Sequence, residues 1–515
     1  MGASDIPDLT FTPIEEIQER VTRVQTTFLE HKTRDVEFRL VQLRKLYWAI
    51  KDHEQQIVEA LRLDLNKPRF ESEIGESSWL ENDIVFISRH LYKWVKDESA
   101  PDIDLTFKFM SPKIRKDPLG SNEGLNSAFN FPFQLTLGPV LGAIAAGNTV
   151  VIKPSENAPR SAAVMQKIVE SALDPSCYTI IQGGIPETQA LLAERWDKIF
   201  FTGGATVGRI IAKAAAPHLT PVVLELGGIN PAIITKSANP RLVARRLLWG
   251  KLMNAGQICT SQNYLLVDKA LVPAVVEEFK KAYNEFYPHG AKASADYARI
   301  INEGAFRRIK SMIDNSKGKI LMGGTMDEKD LFIEPTVVQV DSPDDSLLIQ
   351  ESFGPLIPIL PVENLEEAVN IANSIQSTPL GLYPFGSKAD TEKILSMTRS
   401  GGVSVNDAAL HIPTLPFGGV GESGYGAYRG RSSFDIFVHR RPITSSPGWL
   451  ESLLAIRYPP YAGKLSKFKA GSTLVPDFDR TGQKVTLGWL RFVFTLGGGS
   501  AKAGAGRAAI VAAGE

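Results

Sequence analysis

Lys198-Ile-Phe-Phe-Thr-Gly-Gly-Ala-Thr-Val-Gly208 joins a short apolar segment to a helical segment through two adjacent glycines. A helix that begins at such a turn leaves backbone N–H groups unpaired at the positive end of its dipole, which suits a pyrophosphate. The spacing departs from the GxGxxG pattern of dinucleotide-binding turns. These residues alone therefore fit either a phosphate site at Gly203 and Gly208 or a purely structural turn.

The segments on both sides of this stretch alternate between apolar strands and amphipathic helices. Apolar runs predict strands at 149–153, 178–181 and 198–202. Helical spacing predicts helices at 12–65, 71–96, 161–173, 187–193 and 205–216. Alternation of this kind implies parallel pairing in an open sheet, so the fold class is α/β. A second α/β stretch is predicted from about residue 229 to residue 405.

The bulk composition narrows the class of protein. A chain of 515 residues exceeds the size of one growing core, so two or more domains are expected. Lys plus Arg equals Asp plus Glu, 57 each, which gives no net field to attract nucleic acid. The chain has two cysteines, far apart in the sequence, which indicates a reducing compartment. It has no HExxH motif and no CxxC pair, so no dedicated metal site is predicted.

Two segments carry candidate catalytic groups. Cys259 lies in Asn254-Ala-Gly-Gln-Ile-Cys-Thr-Ser261, and Glu225 lies in Leu224-Glu-Leu-Gly-Gly228. A thiolate is an effective nucleophile toward an acyl carbon, and a carboxylate can activate the water that releases the acyl group. We therefore predict covalent catalysis at a carbonyl carbon by Cys259 and Glu225. Cys177, on an apolar strand, is expected to be a small buried hydrophobe.

Three further polar residues follow strands or lie among aromatic side chains. Asn130, in Phe129-Asn-Phe-Pro-Phe133, is either a structural amide or the donor that stabilises an oxyanion. Lys153 and Glu156 follow an apolar strand and could bind ribose hydroxyls, or simply form a solvated turn. Glu351 and Phe353 lie in a glycine–aromatic turn that could line a cleft.

Together and in this order, these segments resemble the aldehyde dehydrogenase superfamily over about residues 12–442. The resemblance rests on the glutamate, cysteine and Asn130-Phe-Pro-Phe motifs, on Lys153-Pro-Ser-Glu156, and on the later Glu351-x-Phe-Gly-Pro and Pro416-Phe-Gly-Gly motifs. Pro118-Leu-Gly120 and the closing Ser432-Ser-Phe segment are similar to the class 3 branch. That branch includes fatty-aldehyde enzymes and fungal enzymes that act on apocarotenals.

The resemblance implies a Rossmann-like NAD-binding domain, an α/β catalytic domain and a small bridging β-element. The corresponding expected boundaries are 1–228 with a bridging segment near 100–118, 229–405, 406–441 for bridging and oligomerisation, and 442–515 as a C-terminal extension. The bridging element is one that the family uses in oligomers, and a homodimer is expected. The cofactor implied is NAD, with NADP also possible.

The resemblance also implies a role for each site residue. Cys259 would attack a hydrophobic aldehyde, Asn130 would hold the oxyanion, and Glu225 would activate the water that hydrolyses the thioester to the acid. Lys153 and Glu156 would bind the adenosine ribose, and Glu351 would hold the nicotinamide ribose. Gly203 would lie where the pyrophosphate approaches, and Gly208 and Phe353 would also belong to the cofactor site.

One segment departs from the family pattern. Where the family has an aliphatic strand, residues 121–128 read Ser-Asn-Glu-Gly-Leu-Asn-Ser-Ala. A buried central strand is normally a near-continuous hydrophobic run, and burial of unpaired polar groups costs several kcal/mol. Either this segment loops out of the sheet, or the chain differs from a working relative through a splice or gene-model change. An inactive scaffold is therefore one alternative function, and cofactor-free ester hydrolysis by the same thiol is another.

The tail after residue 441 is rich in Pro, Gly, Ser and Ala. Its stretch 487–496 contains several aromatic and aliphatic residues but is too short to span a bilayer. It fits a docked tail, with a peripheral membrane contact as the alternative. No signal peptide is recognised, so we predict a cytoplasmic protein that could associate with membranes.

Overall fold

The computed structural model describes residues 6–103, 105–126, 128–408, 412–472 and 476–485. The chain divides into two compact units, one formed by Met1–Trp94 with Pro118–Val438 and the other by Val95–Asp117 with His439–Glu515. The apolar stretch 487–496 lies outside the described residues. Within the described ranges no helix is both long enough and apolar enough to cross a bilayer.

The larger unit contains a mainly parallel sheet, called here the first sheet. Its described strands, in spatial order, are Gly424–Tyr425, Val222–Leu226, Lys198–Gly203, Ser121–Asn126, Thr149–Lys153 and Tyr178–Ile180. Neighbours pair in parallel, except that Gly424–Tyr425 runs antiparallel to its neighbour. The connecting helices are Pro132–Ala146, Pro159–Ala172, Ile185–Ala193 and Ala205–Ala215. The elements predicted between residues 149 and 216 are therefore present.

The strand order of the first sheet fixes where a ligand can bind. The chain starts at Ser121–Asn126, moves outward to Thr149–Lys153 on one side, and later returns to Lys198–Gly203 on the other side. In such doubly wound sheets the crevice lies at the carboxyl ends of the strands where the order reverses. Residues that follow Asn126, Lys153 and Gly203 are thereby brought to one edge of the sheet.

The expectation that segment 121–128 loops out of the sheet is wrong over residues 121–126. Ser121–Asn126 is an inner strand that pairs in parallel with both of its neighbours. Backbone N–H and C=O groups supply the ladder bonds whatever the side chain, so a polar sequence does not prevent pairing. The Ser121 backbone N–H donates to Asp197 Oδ2 (2.9 Å), and the Ser121 hydroxyl lies 3.1 Å from Thr149 Oγ1.

Asn122 shows the physical cost of that polar strand. Its side chain is 1% exposed, and neither Nδ2 nor Oδ1 has a hydrogen-bond partner within the described residues. An unpaired buried amide destabilises a fold by about 1–3 kcal/mol. The strand forms in spite of Asn122 because its neighbours on both sides supply a complete ladder.

The second sheet of the larger unit is built from strongly apolar strands. In spatial order its described strands are Lys319–Met322, Thr336–Gln339, Leu356–Val362, Tyr264–Asp268, Pro231–Ile234, Gly381–Phe385 and Gly402–Val403. All pairs are parallel except the first. The helices around it are Pro240–Leu252, Val272–Phe286, Glu303–Asn315, Leu365–Ile375 and Lys388–Met397. The side chains of Asn239, Asn302 and Asn364 cap three of these helices at their N-termini.

Helices precede the first sheet in the chain, as the helical spacing predicts. They span Ile14–Leu29, Val36–Asp52, Glu54–Leu65, Arg69–Ser72 and Ser78–Trp94, with a π-helical turn at Glu73–Ser77. Turns of this type widen a helix locally and occur often at functional sites. The Glu73–Ser77 turn places Glu76 in the interior, where its side chain is 0% exposed.

The smaller unit is organised around a three-stranded sheet of Glu98–Ser99, Lys113–Pro118 and Val438–Ile443. Glu98–Ser99 pairs antiparallel with Lys113–Pro118. Two short helices follow at Glu451–Leu454 and Leu465–Ser472. The predicted bridging segments 100–118 and 406–441 each contribute residues to this sheet, while Gly424–Tyr425 belongs to the first sheet. The four predicted domain boundaries stay predictions.

Candidate active site

Cys259 follows a sharply turned segment that ends the helix Pro240–Leu252. Asn254, Ala255 and Gly256 are consecutive residues with positive φ angles of 52°, 51° and 76°. A Cβ atom on Gly256 would lie 2.3 Å from the carbonyl oxygen of Gly354, so this position requires glycine. The turn thereby brings the cysteine segment against the predicted cofactor segment around Glu351.

The Cys259 thiol is strongly held in its protonated form. Burial, followed by the negative charges of Glu351 and Glu225, raises the pKa of this thiol to about 12. The positive charge of Arg429 and a hydrogen bond with the Thr260 backbone act in the opposite direction. The charges of Glu351 and Glu225 therefore oppose ionisation of the thiol. The resting cysteine is a thiol at neutral pH and needs a base to become a nucleophile.

Glu225 lies on the strand Val222–Leu226, opposite Gly424 in the neighbouring strand. Its side chain is 3% exposed, and neither carboxyl oxygen has a hydrogen-bond partner within the described residues. Burial raises the pKa of Glu225 well above its usual range, against the opposing charge of Arg429. A buried carboxyl group with free oxygens and a raised pKa has the properties of a general base.

Asn130 lies just before the helix Pro132–Ala146, beyond the carboxyl end of the central strand. Its Nδ2 donates to the carbonyl oxygen of Gln257 (2.9 Å), two residues before the cysteine. An amide nitrogen carries two hydrogens, so one remains for an oxyanion. The amide predicted to stabilise the oxyanion is therefore hydrogen-bonded to the loop that carries Cys259.

A buried ion pair that the sequence did not single out supports Asn130. Lys67 Nζ donates to Glu76 Oε1 (3.1 Å) and to the backbone carbonyl of Asn130 (2.6 Å), and lies 4.0 Å from the ring centre of Phe131. Both side chains of the pair are completely buried. Glu76 Oε2 accepts the backbone N–H of Gln134 (2.8 Å). One lysine and one glutamate thus hold the turn that carries Asn130, the predicted oxyanion donor.

Glu71 supports the other side of the cysteine loop and was also missed. Its Oε2 accepts the backbone N–H of Asn254 at 2.7 Å, at the start of the positive-φ turn. Burial raises the pKa of Glu71 to about 7, opposed by this bond and by Lys67. A lysine and two glutamates near a helix break carry no distinctive sequence signal, because such residues usually lie in solvent.

Two of the predicted cofactor residues meet at the edge of the first sheet. Lys153 Nζ donates to Glu156 Oε2 (3.1 Å) and to the carbonyl of Pro154 (3.0 Å). Both residues line an open cavity together with Gly184, Thr188, Phe201 and Val207. Residues from the two strands that flank Ser121–Asn126, and from nearby helices, therefore share one cleft.

The glycines of the strand–helix turn have different surroundings. Gly203 ends the strand Lys198–Gly203, and a Cβ on Gly204 would meet no atom within 4 Å, so the start of the following helix is open. A Cβ on Gly208 would lie 2.8 Å from Leu226 Cδ2, so Gly208 allows the helix to pack closely on the sheet. An open helix start suits an anionic group.

Glu351 reaches across to the glycines of the glutamate motif. A Cβ on Gly227 would lie 2.4 Å from Glu351 Oε2, and Glu351 accepts a backbone hydrogen bond from Gly228. Burial raises the pKa of Glu351 to about 7, while that bond and Lys251 lower it. Its Oε1 has no partner within the described residues. The ring of Phe353, next to it, packs edge-on against Phe129 with centres 5.7 Å apart.

Cys259 opens onto a largely apolar cavity with about 980 Å³ of empty space, including open solvent. Many of the lining side chains are aromatic or aliphatic. They are Ile74, Trp79, Phe131, Leu135, Trp249, Met253, Ile258 and Phe417. Arg429 is a charged residue on the same wall, and the sequence did not indicate it. The cavity suits a hydrophobic molecule with one reactive end.

Cys177, by contrast, is fully buried, and burial raises the pKa of its thiol to about 11. It lies before the strand Tyr178–Ile180, as the apolar pattern predicts. Within the described residues no cluster of three or more histidine, cysteine or carboxylate side chains forms a metal site.

Comparison with known proteins gives a consistent result. A model described as the aldehyde dehydrogenase family matches residues 8–443. Beta-apo-4'-carotenal oxygenase of Neurospora crassa is 47% identical over 504 residues, which cover 96% of this chain and 94% of that protein. A rat relative named aldehyde dehydrogenase, dimeric NADP-preferring, is 39% identical over 88% of this chain and 100% of its own length.

A solved structure resembles the chain equally broadly. The substrate-bound state of Staphylococcus aureus AldH has a TM-score of 0.84 and 37% identity, over 88% of this chain and 99% of that one. The family model covers most of the sequence, and the Asn130 amide of one predicted motif donates a hydrogen bond to the loop that carries Cys259. This chain belongs to the aldehyde dehydrogenase family.

Proposed function

We propose that the protein oxidises a hydrophobic aldehyde to its carboxylic acid through covalent catalysis by Cys259, with NAD or NADP as the oxidant. Aldehyde, water and the oxidised cofactor give the carboxylate, the reduced cofactor and two protons. The observation that carries the proposal is the apolar cavity at Cys259, whose thiol is close enough to feel the charge of the buried Glu225.

In the first step Glu225, as the carboxylate, removes the proton from the Cys259 thiol. The sulfur then forms a bond to the aldehyde carbon, and the carbonyl oxygen becomes negative. The Nδ2 hydrogen of Asn130 that is not bound to Gln257 donates to this oxygen. The product of this step is a thiohemiacetal on the enzyme.

When bound, the nicotinamide cofactor supplies the acceptor for the hydride that leaves the former aldehyde carbon. Loss of the hydride restores the carbonyl group and leaves a thioester on Cys259. Once the thiol proton has passed from Glu225 to solvent, the Glu225 carboxylate removes a proton from water as the water oxygen attacks the thioester carbon. The carbon–sulfur bond breaks, the acid leaves, and the free carboxyl oxygens of Glu225 are the acceptors that this step requires.

The residues at the edge of the first sheet fit a dinucleotide. Lys153 and Glu156 would bind the adenosine ribose, and the open helix start at Gly204 would face the pyrophosphate. Glu351 would bind the nicotinamide ribose through its unpartnered Oε1. A carboxylate at position 156 disfavours the 2′-phosphate of NADP, so we expect NAD to be preferred even though the rat relative is named NADP-preferring.

The assembly and location are further proposals. A homodimer is supported by the printed name of the rat relative and is measured by light scattering after gel filtration. We propose a cytoplasmic location with membrane contact through the tail, tested by co-sedimentation of the purified protein with and without residues 442–515 on lipid vesicles. Retention of vesicle binding without the tail would contradict the membrane proposal.

The experiment for the activity follows cofactor reduction by absorbance, with aldehydes of several chain lengths and with NAD or NADP. Wild type is expected to reduce the cofactor and Cys259→Ala to lose at least about 1,000-fold in kcat, since covalent catalysis is removed. Cys177→Ala is the matched control and should retain activity, because that thiol is buried away from the cavity. Equal rates for wild type and Cys259→Ala would contradict the mechanism.

One observation favours a second candidate, an impaired family member that acts as a scaffold. The unpaired amide of Asn122 lies in the strand that leads toward Asn130. If this strand is loosened, the oxyanion donor is displaced and turnover is lost. Absence of both cofactor reduction and ester cleavage by folded wild type would favour the scaffold. Ester cleavage alone at saturating NAD would instead favour cofactor-free hydrolysis by the same thiol.

A further inference from the structure

Arg429 combines burial with unused hydrogen-bonding capacity. The residue is 4% exposed, and its Nε and Nη1 atoms have no hydrogen-bond partner within the described residues. Its guanidinium carbon lies 4.4 Å from the ring centre of Trp79, 5.2 Å from that of Phe417 and 5.4 Å from that of Tyr428. The aromatic rings stabilise the positive charge, but they leave these N–H groups without an oxygen acceptor.

The backbone at this position is also unusual. Arg429 has a φ angle of 78°, in the left-handed region that is unfavourable for a residue with a long side chain. Its backbone N–H donates to Ser433 Oγ at 2.7 Å, and Tyr428 pairs with Phe417 through two 2.8 Å backbone bonds. Strain of this kind persists where the surroundings hold a side chain in one place, often at a binding site.

Two carboxyl groups, Asp83 and Glu225, are influenced by the charge of Arg429. Burial raises the pKa of Asp83 to about 6 and that of Glu225 well above its usual range, with the charge of Arg429 opposing both shifts. Neither carboxyl group forms an ion pair with Arg429 in the part of the chain that the structure describes. A buried guanidinium without a firm counter-ion is costly unless a ligand supplies one.

Arg429 and Cys259 line the same cavity. We propose that Arg429 is a substrate-binding residue that binds a carboxylate group carried by the aldehyde within this cavity. The preferred substrates are then aldehydes that carry a carboxylate as a second function, held at one end by the guanidinium and attacked at the other by the thiol. This inference rests on the proposed function, because both groups must act on one molecule.

The test compares two substrates of equal chain length, a saturated aldehyde that ends in a methyl group and one that ends in a carboxylate. The value of kcat/KM is measured for both, at several chain lengths, with wild type, Arg429→Met and Arg429→Lys. Wild type should prefer the carboxylate-bearing aldehyde at its best chain length. Arg429→Met should lower that preference about 10- to 100-fold, the change expected for a charge-assisted hydrogen bond. Arg429→Lys should retain part of it, because the charge stays and the planar fork is lost.

Arg431→Met is the matched control. It removes a positive charge two residues away that pairs with Asp435 at 3.1 Å and does not line the cavity, so the substrate preference should stay as in wild type. Thermal unfolding of each variant shows that it is folded. If Arg429→Met does not fold, the substrate preferences of wild type and of Arg429→Lys still test whether Arg429 binds the carboxylate.

The outcomes separate this inference from the proposed function. If wild type favours the methyl-ended aldehyde at every length, or if Arg429→Met leaves the preference unchanged, Arg429 does not bind substrate. If Arg429→Met changes only the pH profile, and changes it equally for both aldehydes, Arg429 acts on the ionisation of Glu225 rather than on the substrate. That result would overturn the inference. If folded wild type oxidises neither aldehyde with either cofactor, the proposed function fails and the inference fails with it.

Discussion

Replacing Lys67 with methionine tests whether a buried ion pair positions Asn130, the proposed oxyanion donor. The substitution keeps the aliphatic length of the side chain and removes the ammonium group. It deletes the 2.6 Å bond to the Asn130 carbonyl and the 3.1 Å contact with Glu76. The carbonyl of Asn130 then keeps one side-chain donor, Asn254 Nδ2 at 3.0 Å.

The expected loss of activity follows from this geometry. Complete removal of an oxyanion donor reduces kcat about 100- to 1,000-fold. Lys67→Met leaves the Asn130 amide in place but removes one of the two bonds that hold its backbone, so we expect a smaller reduction, about 10-fold in kcat. The KM should change less, because Lys67 is completely buried and does not line the substrate cavity.

The stability of Lys67→Met should depend on pH. Removing one partner of a buried ion pair costs about 3–5 kcal/mol. Burial already raises the pKa of Glu76, and loss of Lys67 removes the charge that opposes this rise. The native state then binds a proton that the unfolded state releases above a pKa of 4.5, so stability decreases as pH rises above that value. The variant should be more stable at mildly acidic than at alkaline pH.

A double variant separates positioning from stability. Lys67→Met combined with Glu76→Gln removes both charges while the amide oxygen still accepts the backbone N–H of Gln134. By urea unfolding, the double variant should keep most of the wild-type stability and should lack the pH dependence expected for Lys67→Met. Its kcat should still be about 10-fold below that of wild type. Lys51→Met, which removes a surface lysine 3.4 Å from Glu81, is the control and should change stability by less than about 1 kcal/mol. A double variant with wild-type kcat would refute the positioning role.

Two further predictions follow from the described burial and charges. Alkylation of Cys259 by iodoacetamide in the cofactor-free protein should speed up about 10-fold per pH unit between neutral and mildly alkaline pH, since the pKa of the thiol is about 12. Mass spectrometry with Cys259→Ala as control measures this rate, and a plateau near neutral pH would contradict it. Asn122→Val should raise the unfolding midpoint by about 1–3 °C, because it replaces a buried unpaired amide. A lower midpoint by calorimetry would mean that Asn122 has a partner in solution.

Much of the fold could be predicted because its signals are local. Apolar runs and helical spacing place the elements between residues 149 and 216 close to their observed ends. Cys259 and Glu225 were also identified from the sequence, since each lies beside glycines that allow tight backbone turns or close approach. Gly256 is an example, because a Cβ there would meet the Gly354 carbonyl at 2.3 Å.

The strand Ser121–Asn126 could not be predicted from its own residues. Its side-chain pattern argues against a buried strand, and only the two flanking strands determine that it pairs in the middle of the sheet. Backbone hydrogen bonds with distant partners outweigh the local preference, and the unpaired amide of Asn122 is the visible cost.

By itself the sequence therefore determined the α/β class, the family motifs, and the nucleophile and base candidates, because each depends on neighbouring residues. Only the tertiary structure decided that Lys67 would meet an Asn130 carbonyl 63 residues away, and that Arg429 would line the wall of the cysteine cavity. The physical reason is that a buried charge is recognisable only by what surrounds it. Those surroundings come from segments that are far apart in the chain.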